Sequence, residues 1–434
     1  MTFLTVLAYL FNLTVLVFVT WWLYNRVKDN ALGGLFIPGL LFKLACGIGL
    51  GLVYTYYYRH GDTNRFFEEA VILTNIAYES PIDFLKILLI NDIPREANQV
   101  LQLSQQPRAF FTAKLLSIVN IFTYNNYWLS SLYFSYFAYS GMWYLASMLV
   151  RTFPKTAAAA AIAFLFFPSV VFWSSGILKE SFVMGFISYI VAFSLPYLVL
   201  SKKIPYYKIV LMVFFLYALL KLKYYYVGVL IPIMTANFVV AYLRLNYKFI
   251  NRNYYTHLGS WLVVFISVLL LSTTIHPNLK IGNFLTQMVT NHNLIYESSM
   301  PEDLIIYYKL DPTWQSILIN LPLAIYSGLF RPTVLDAHTS LQYWVGFENL
   351  LLMILLIFSL FRLKNFVKFK YKNLVFSTFV YIMIMATFMA ISSPNFGTLV
   401  RYKIGFLPFF IYLICADNPI IDAVQKRLNL SKSS

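Results

Sequence analysis

Apolar runs of membrane-crossing length punctuate the chain. A helix needs about 20 apolar residues to cross a bilayer. Runs near that length fall at roughly 2–24, 33–57, 127–150, 156–174, 181–200, 206–220, 225–243, 257–275, 348–366, 373–392 and 402–417. The stretch 110–125 adds a further element, and Trp314 to Phe330 reads as another span or a re-entrant helix. The pattern predicts an all-α, polytopic membrane helical bundle of about 11–13 transmembrane helices. It forms one domain over 1–434 with two ordered extracytoplasmic loops, 58–126 and 276–347. In the first loop, apolar residues recur every three or four positions across Pro81–Ile90 and again across 93–101. That spacing predicts amphipathic helices lying at the interface. The Ala157–Ala161 run predicts close helix packing.

Composition agrees with this class. Hydrophobic residues make up 60 % of the chain and charged residues 12 %. Soluble domains run at about 45–50 % apolar and about 25 % charged. The two cysteines, Cys46 and Cys415, have no zinc spacing and form no disulfide framework. The net charge of +16 does not call for nucleic acid in such a chain. It reflects basic cytoplasmic loops and contact with anionic membrane lipids. Arg26, Lys28, Arg151, Lys155, Lys202, Lys203, Arg244 and Lys364 through Lys372 sit in short loops nearly free of acids. Those loops are assigned to the cytoplasm, which puts the N-terminus outside and the C-terminus inside. The first apolar run lacks a basic leader and a small-residue cleavage site, and is read as a retained span. A bacterial inner membrane is the expected location.

Most acids fall on the opposite side, so candidate chemistry is extracytoplasmic. The densest cluster is Arg59-His60-Gly61-Asp62-Thr63-Asn64-Arg65, followed by Glu68 and Glu69. Charge is expensive near hydrocarbon, so a cluster at a span mouth faces water or a site. Asp62 is the candidate catalytic base. His60, Glu68, Glu69 and Glu180 are candidate acid, metal or acceptor-binding groups. Asp62 beside Thr63 also suits a helix N-cap, and Arg65 and Glu69 are spaced to pair on a helix. Six cations recur at outer span ends: Lys179, Lys221, Lys223, Arg331, Arg401 and Lys403. Positive charge there runs against the usual bias, and suits a lipid phosphate or pyrophosphate. Snorkelling towards headgroups is the other account of these cations. Arg331 also stands near Asp336, His338 and Glu348 in a fourth grouping. No dedicated cofactor is indicated beyond a divalent metal at the acids.

Gly61-Asp62-Thr63 with Phe66 and Ala70, the amphipathic helices in that loop, and the late Arg401-Tyr402-Lys403 before Pro408 resemble the GT-C-type integral-membrane glycosyltransferases. The resemblance implies an inverting transferase that takes its sugar from a polyprenyl-phosphate or -pyrophosphate donor and passes it to a glycan or lipid acceptor. Asp62 matches the position of the family's catalytic acid, and Arg401 a donor-phosphate contact. Many members carry two adjacent acids where this chain has Asp62 alone. The same features are similar to the polymerases of exopolysaccharide and O-antigen assembly. A third class, a transporter or flippase of a lipid-linked or anionic substrate, predicts ionisable residues deep in spans. Lys43 is the charged residue well inside an apolar run.

Overall fold

The computed structural model describes residues 3–58, 61–247, 254–275, 280–362, 364–365 and 369–427. Among these there are nineteen α-helices and no strand, with one isolated bridge between Leu304 and Asn395. Seven helices are long and apolar enough to cross a membrane, and a bent pair makes an eighth. The chain is an integral membrane protein.

Helix fills every one of the eleven apolar segments, but several fail a simple length or polarity test for physical reasons. Helix α1 (Phe3–Val27) and α2 (Phe36–Leu52) come first, α2 ending in a π-helical turn at Val53–Tyr57. Helices α3 (Asp62–Glu79), α4 (Pro81–Ile90), α5 (Arg95–Val100) and α6 (Pro107–Thr123) make up the first long loop. Helix α7 (Tyr127–Thr152) is rich in Ser and Tyr because it is buried among other helices rather than bathed in lipid. Gly141 of α7 meets Gly185 of the later α10 so closely that an added Cβ would fall 2.7 Å from a backbone carbonyl. The 156–174 run is broken by Pro168 into α8 (Ala157–Ala161) with a π turn, and α9 (Pro168–Trp173). The alanines of α8 are all buried, as close packing requires.

Helix α10 (Lys179–Leu200) leads to α11 (Tyr206–Asn246), which is two arms joined at Lys223, the residue with non-helical φ −152° and ψ 82°. A straight helix would put Phe238 about 45 Å from Lys208. Instead Lys208 lies 5.2 Å from the Phe193 ring, and Phe238 returns to 5.5 Å from Tyr197, one turn further along α10. Helices α12 (Tyr254–Ile275), α13 (Ile281–Glu297), α14 (Trp314–Phe330), α15 (Ser340–Leu360) and α16 (Lys372–Ser392) follow. Helix α17 (Phe396–Tyr402) continues through a 3₁₀ turn to Gly405 and bends by 66° into α18 (Leu407–Ala416), before α19 (Pro419–Arg427). Helix α1 lies at the periphery. It is moored by Asn12, whose amide donates to the Phe122 carbonyl at 2.9 Å and accepts from Tyr133 at 2.7 Å.

The two long loops share one end of the bundle, the loop end; the opposite end carries the basic connections. The first loop has its own small core, with Phe66 and Leu73 of α3 against Phe84, Ile87 and Phe110. Helix α4 turns Ile82, Leu85 and Leu89 outwards, as an interfacial helix does. The second loop is laced to the entry of α17, since Ile305 donates to the Pro394 carbonyl at 2.9 Å. Both loops therefore converge on the segment that carries Arg401.

Candidate active site

Glu180 is the second residue of α10 and is fully buried. A helix N-terminus favours negative charge, yet a buried carboxylate still needs partners. Two cations supply them. Lys223 Nζ lies 2.7 Å from Glu180 Oε1, and Arg401 Nε lies 3.1 Å from the same oxygen. The helix break at Lys223 thus coincides with the residue that reaches the acid. Its ammonium also sits 4.0 Å from the centre of the Tyr402 ring.

Arg401 extends the network outwards. Its Nη1 donates to Asp62 Oδ2 at 2.9 Å and to the Tyr54 hydroxyl at 3.1 Å. Asp62 opens α3, and its side chain is 49 % exposed. It is therefore the member of the network that solvent reaches. Gly61 makes this approach possible, because a Cβ there would fall 2.2 Å from the Tyr54 ring. Lys179 completes the group, 4.8 Å from the Phe66 ring centre and within the electrostatic reach of Asp62, Glu180, Lys223 and Arg401. Among the described residues no carboxylate comes within ion-pair distance of Lys179.

Two features leave this site unfinished. Three cations (Lys179, Lys223, Arg401) face two carboxylates (Asp62, Glu180), an excess of one positive charge, 3 − 2 = +1. Glu180 Oε2 is buried with no hydrogen-bond partner among the described residues, and Arg401 Nε is off-line for a hydrogen bond to Oε1. Unsatisfied buried polar atoms are uncommon and mark places where a ligand or water belongs.

No family model, no curated protein and no solved structure matches this chain. The site has only its own side chains to speak for it.

Of the residues singled out from sequence, Asp62, Glu180, Lys179, Lys223 and Arg401 come together. Lys221 is exposed and lies over Tyr217, in the field of Lys114. Glu68 is exposed. Glu69 is turned inwards to accept the backbone N–H groups of Gln102 at 3.1 Å and Leu103 at 2.8 Å, so it fastens the first loop. Burial pushes its carboxyl above the ordinary range, against the pull of those two hydrogen bonds. His60 lies outside the described residues.

Arg331 and Lys403 belong to a neighbouring cluster. Arg331 grips Asp336 through two hydrogen bonds, at 3.0 and 2.5 Å. Burial works to raise the Asp336 carboxyl, but Arg331 and Thr333 hold it down to about 2. Lys403 is buried and donates to the Arg331 carbonyl at 2.6 Å. Glu348 supplies the balancing charge and is itself fixed by the backbone N–H and hydroxyl of Ser169 and by the Trp344 indole. Among the described residues no three His, Cys, Asp or Glu side chains converge to hold a metal ion.

Tyr54 and Tyr402 escaped the sequence reading as site residues. Tyr54 stands in the π-helical turn that ends α2, a feature that often marks functional positions. Nothing in Val53-Tyr54-Thr55-Tyr56-Tyr57 announces that turn.

Proposed function

We propose that this chain is a membrane glycosyltransferase of the extracytoplasmic face, moving a sugar from a polyprenyl-phosphate or -pyrophosphate donor to an acceptor hydroxyl with inversion. The observation that carries the proposal is the one-charge cationic excess beside a solvent-reachable carboxylate. A lipid phosphate fits that excess, and an acceptor hydroxyl can reach Asp62. The loop end then faces away from the cytoplasm of a bacterial inner membrane, in keeping with the basic connections at the other end.

In this reaction Lys179, Lys223 and Arg401 bind the donor phosphate. Arg401 offers a planar fork, and the lysines act as point charges. The acceptor oxygen attacks the anomeric carbon while its proton passes to Asp62. The bond from that carbon to the phosphate oxygen breaks, and the electron pair leaves with the phosphate. The cations stabilise the charge that develops on the leaving group. Asp62 then returns its proton to water. A polymerase would use the same steps with a lipid-linked glycan as the acceptor.

One observation favours transport as a second reading. Helices α11 and α17–α18 are both broken, and each break carries a lysine, Lys223 or Lys403. Broken helices near mid-membrane are a transporter device, whereas both of these breaks lie at the loop end. Against it, Lys43 is already spent within α2's packing, donating to Ser174 Oγ and to the Val171 carbonyl at the end of α9.

The deciding experiment uses purified protein in proteoliposomes with radiolabelled polyprenyl-phosphate hexoses and an extracted acceptor pool. The expected result is release of polyprenyl phosphate, lowered about 10²–10⁴-fold in Asp62→Asn, with donor binding changed only a few-fold. Donor that stays intact but crosses to the other leaflet in a protein-dependent way would replace this proposal with transport.

A further inference from the structure

A cavity lies at the basic end, away from the charged cluster. It encloses about 450 Å³ between α7, α10, the second arm of α11, α16 and α18, within the size range of small-ligand sites. Its walls are apolar, with Leu149, Leu195, Leu230, Ile233, Met234 and Phe409 among them. The polar atoms along it are already engaged. Asn237 donates to Ser377 at 3.0 Å and accepts from Trp261 at 2.9 Å. Ser194 and Thr378 donate to carbonyls one helical turn back. Water inside would find few partners, which suits an apolar occupant.

The mouth has a different character. The rings of Phe153, Phe369 and Tyr371 meet there at 5.8–5.9 Å. Arg362 is paired with two carboxylates, Asp417 at 3.1 Å and Asp422 at 2.9 Å, so that with Lys155 and Lys370 the mouth carries 3 − 2 = +1. Lys155 precedes the wall residue Thr156, and Lys370 follows the wall residue Phe369. Both lysines are exposed, and among the described residues neither has a carboxylate in ion-pair range. Aromatic rings beside free lysines make up the chemistry of a lipid headgroup region.

We propose that this cavity holds one acyl chain of an anionic phospholipid from the leaflet at the basic end, its phosphate held by Lys155 and Lys370. The apolar volume takes the chain, the aromatic mouth meets the glycerol level, and the two lysines select negative charge. The site is independent of the transfer reaction proposed above.

The test uses full-length protein in mixed micelles with phosphatidylglycerol carrying a diazirine in one acyl chain, beside phosphatidylcholine with the same chain. Peptide mapping is expected to place the label on the segments around Leu149, Leu195 and Ile233, several-fold more from phosphatidylglycerol. Ala416→Phe and Ser194→Phe, which fill the cavity, are expected to cut that labelling several-fold. Labelling at the exposed positions Val17 and Val263 should stay unchanged and report that the fold is intact. The double variant Lys155→Ala/Lys370→Ala should erase the headgroup preference while keeping the chain label. Label confined to exposed positions, or unchanged by both filling variants, would overturn the site. Equal labelling by the two probes in the unaltered protein would overturn the anionic assignment.

Discussion

Two clusters of the same residue types stand side by side at the loop end, and they are built to opposite specifications. In the Arg331–Lys403 cluster two cations meet two acids, 2 − 2 = 0, and each acid has a full set of donors. In the Glu180–Arg401 cluster the cations outnumber the acids, one carboxylate oxygen is unpartnered, and Asp62 is open to water. A closed charge set braces the loops against α17. An open one leaves a positive charge for an anion to balance. Lys403 and Arg401 are only two residues apart, so position along the chain does not distinguish them; the balance of charge does.

The comparison is sharpest at Glu180. Removing one partner of a buried ion pair strands the other charge. Glu180→Ala leaves Lys223 and Arg401 facing each other, and should lower stability by about 3–5 kcal/mol, seen as a large drop in the thermal unfolding midpoint in detergent. A variant as stable as the parent would mean that the cluster is not held by this acid.

Next come the two lysines. Lys179→Ala should weaken binding of the donor lipid roughly tenfold at an unchanged unfolding midpoint. Lys403→Ala should do the reverse, lowering the midpoint while folded protein binds donor as before. Lys221→Ala, with its side chain turned away, should change neither. Interchanged behaviour of Lys179 and Lys403 would dissolve the distinction between open and closed clusters.

A further effect concerns pH. The Asp336 carboxyl is held at about 2 in the fold against an ordinary 3.8. A depressed acid stabilises the fold above its unfolded value, and that contribution fades as pH falls through the folded one. It amounts to about 2 kcal/mol and should disappear between about pH 4 and pH 2. Asp336→Asn should lack it at neutral pH and show a flatter unfolding midpoint over that window. Parallel pH curves for the two proteins would contradict the role given to Arg331.

Much of the fold was legible because it follows from hydrophobic length alone. Runs near 20 apolar residues must become helices in lipid, where backbone groups have no other partners, and the apolar face of α4 shows its period directly. The site was half legible. Gly61-Asp62 and the cations at span ends could be picked out, since unpaired charge near hydrocarbon needs a reason. Which three of the six cations converge could not be, because that depends on contacts between segments far apart in the chain. The break at Lys223 falls where the apolar runs 206–220 and 225–243 part, but nothing local says that Lys223 there meets Glu180 across the bundle. Of the grouping of Arg331 with Asp336, His338 and Glu348, the structure pairs Arg331 with Asp336, sets Glu348 against Lys403 and leaves His338 exposed, and only the count of donors around each acid shows that group to be closed. Glu69 looks like an active acid beside Glu68 until the backbone of Gln102 and Leu103 is seen to occupy it.

The most direct test of the central claim is Asp62→Asn expressed in its own cell membranes, with folding checked by monodispersity in detergent. The account predicts a folded protein, loss of the surface glycan it serves, and accumulation of the lipid-linked precursor. A folded variant that supports normal glycan assembly would contradict it and reduce Asp62 to the first residue of a helix.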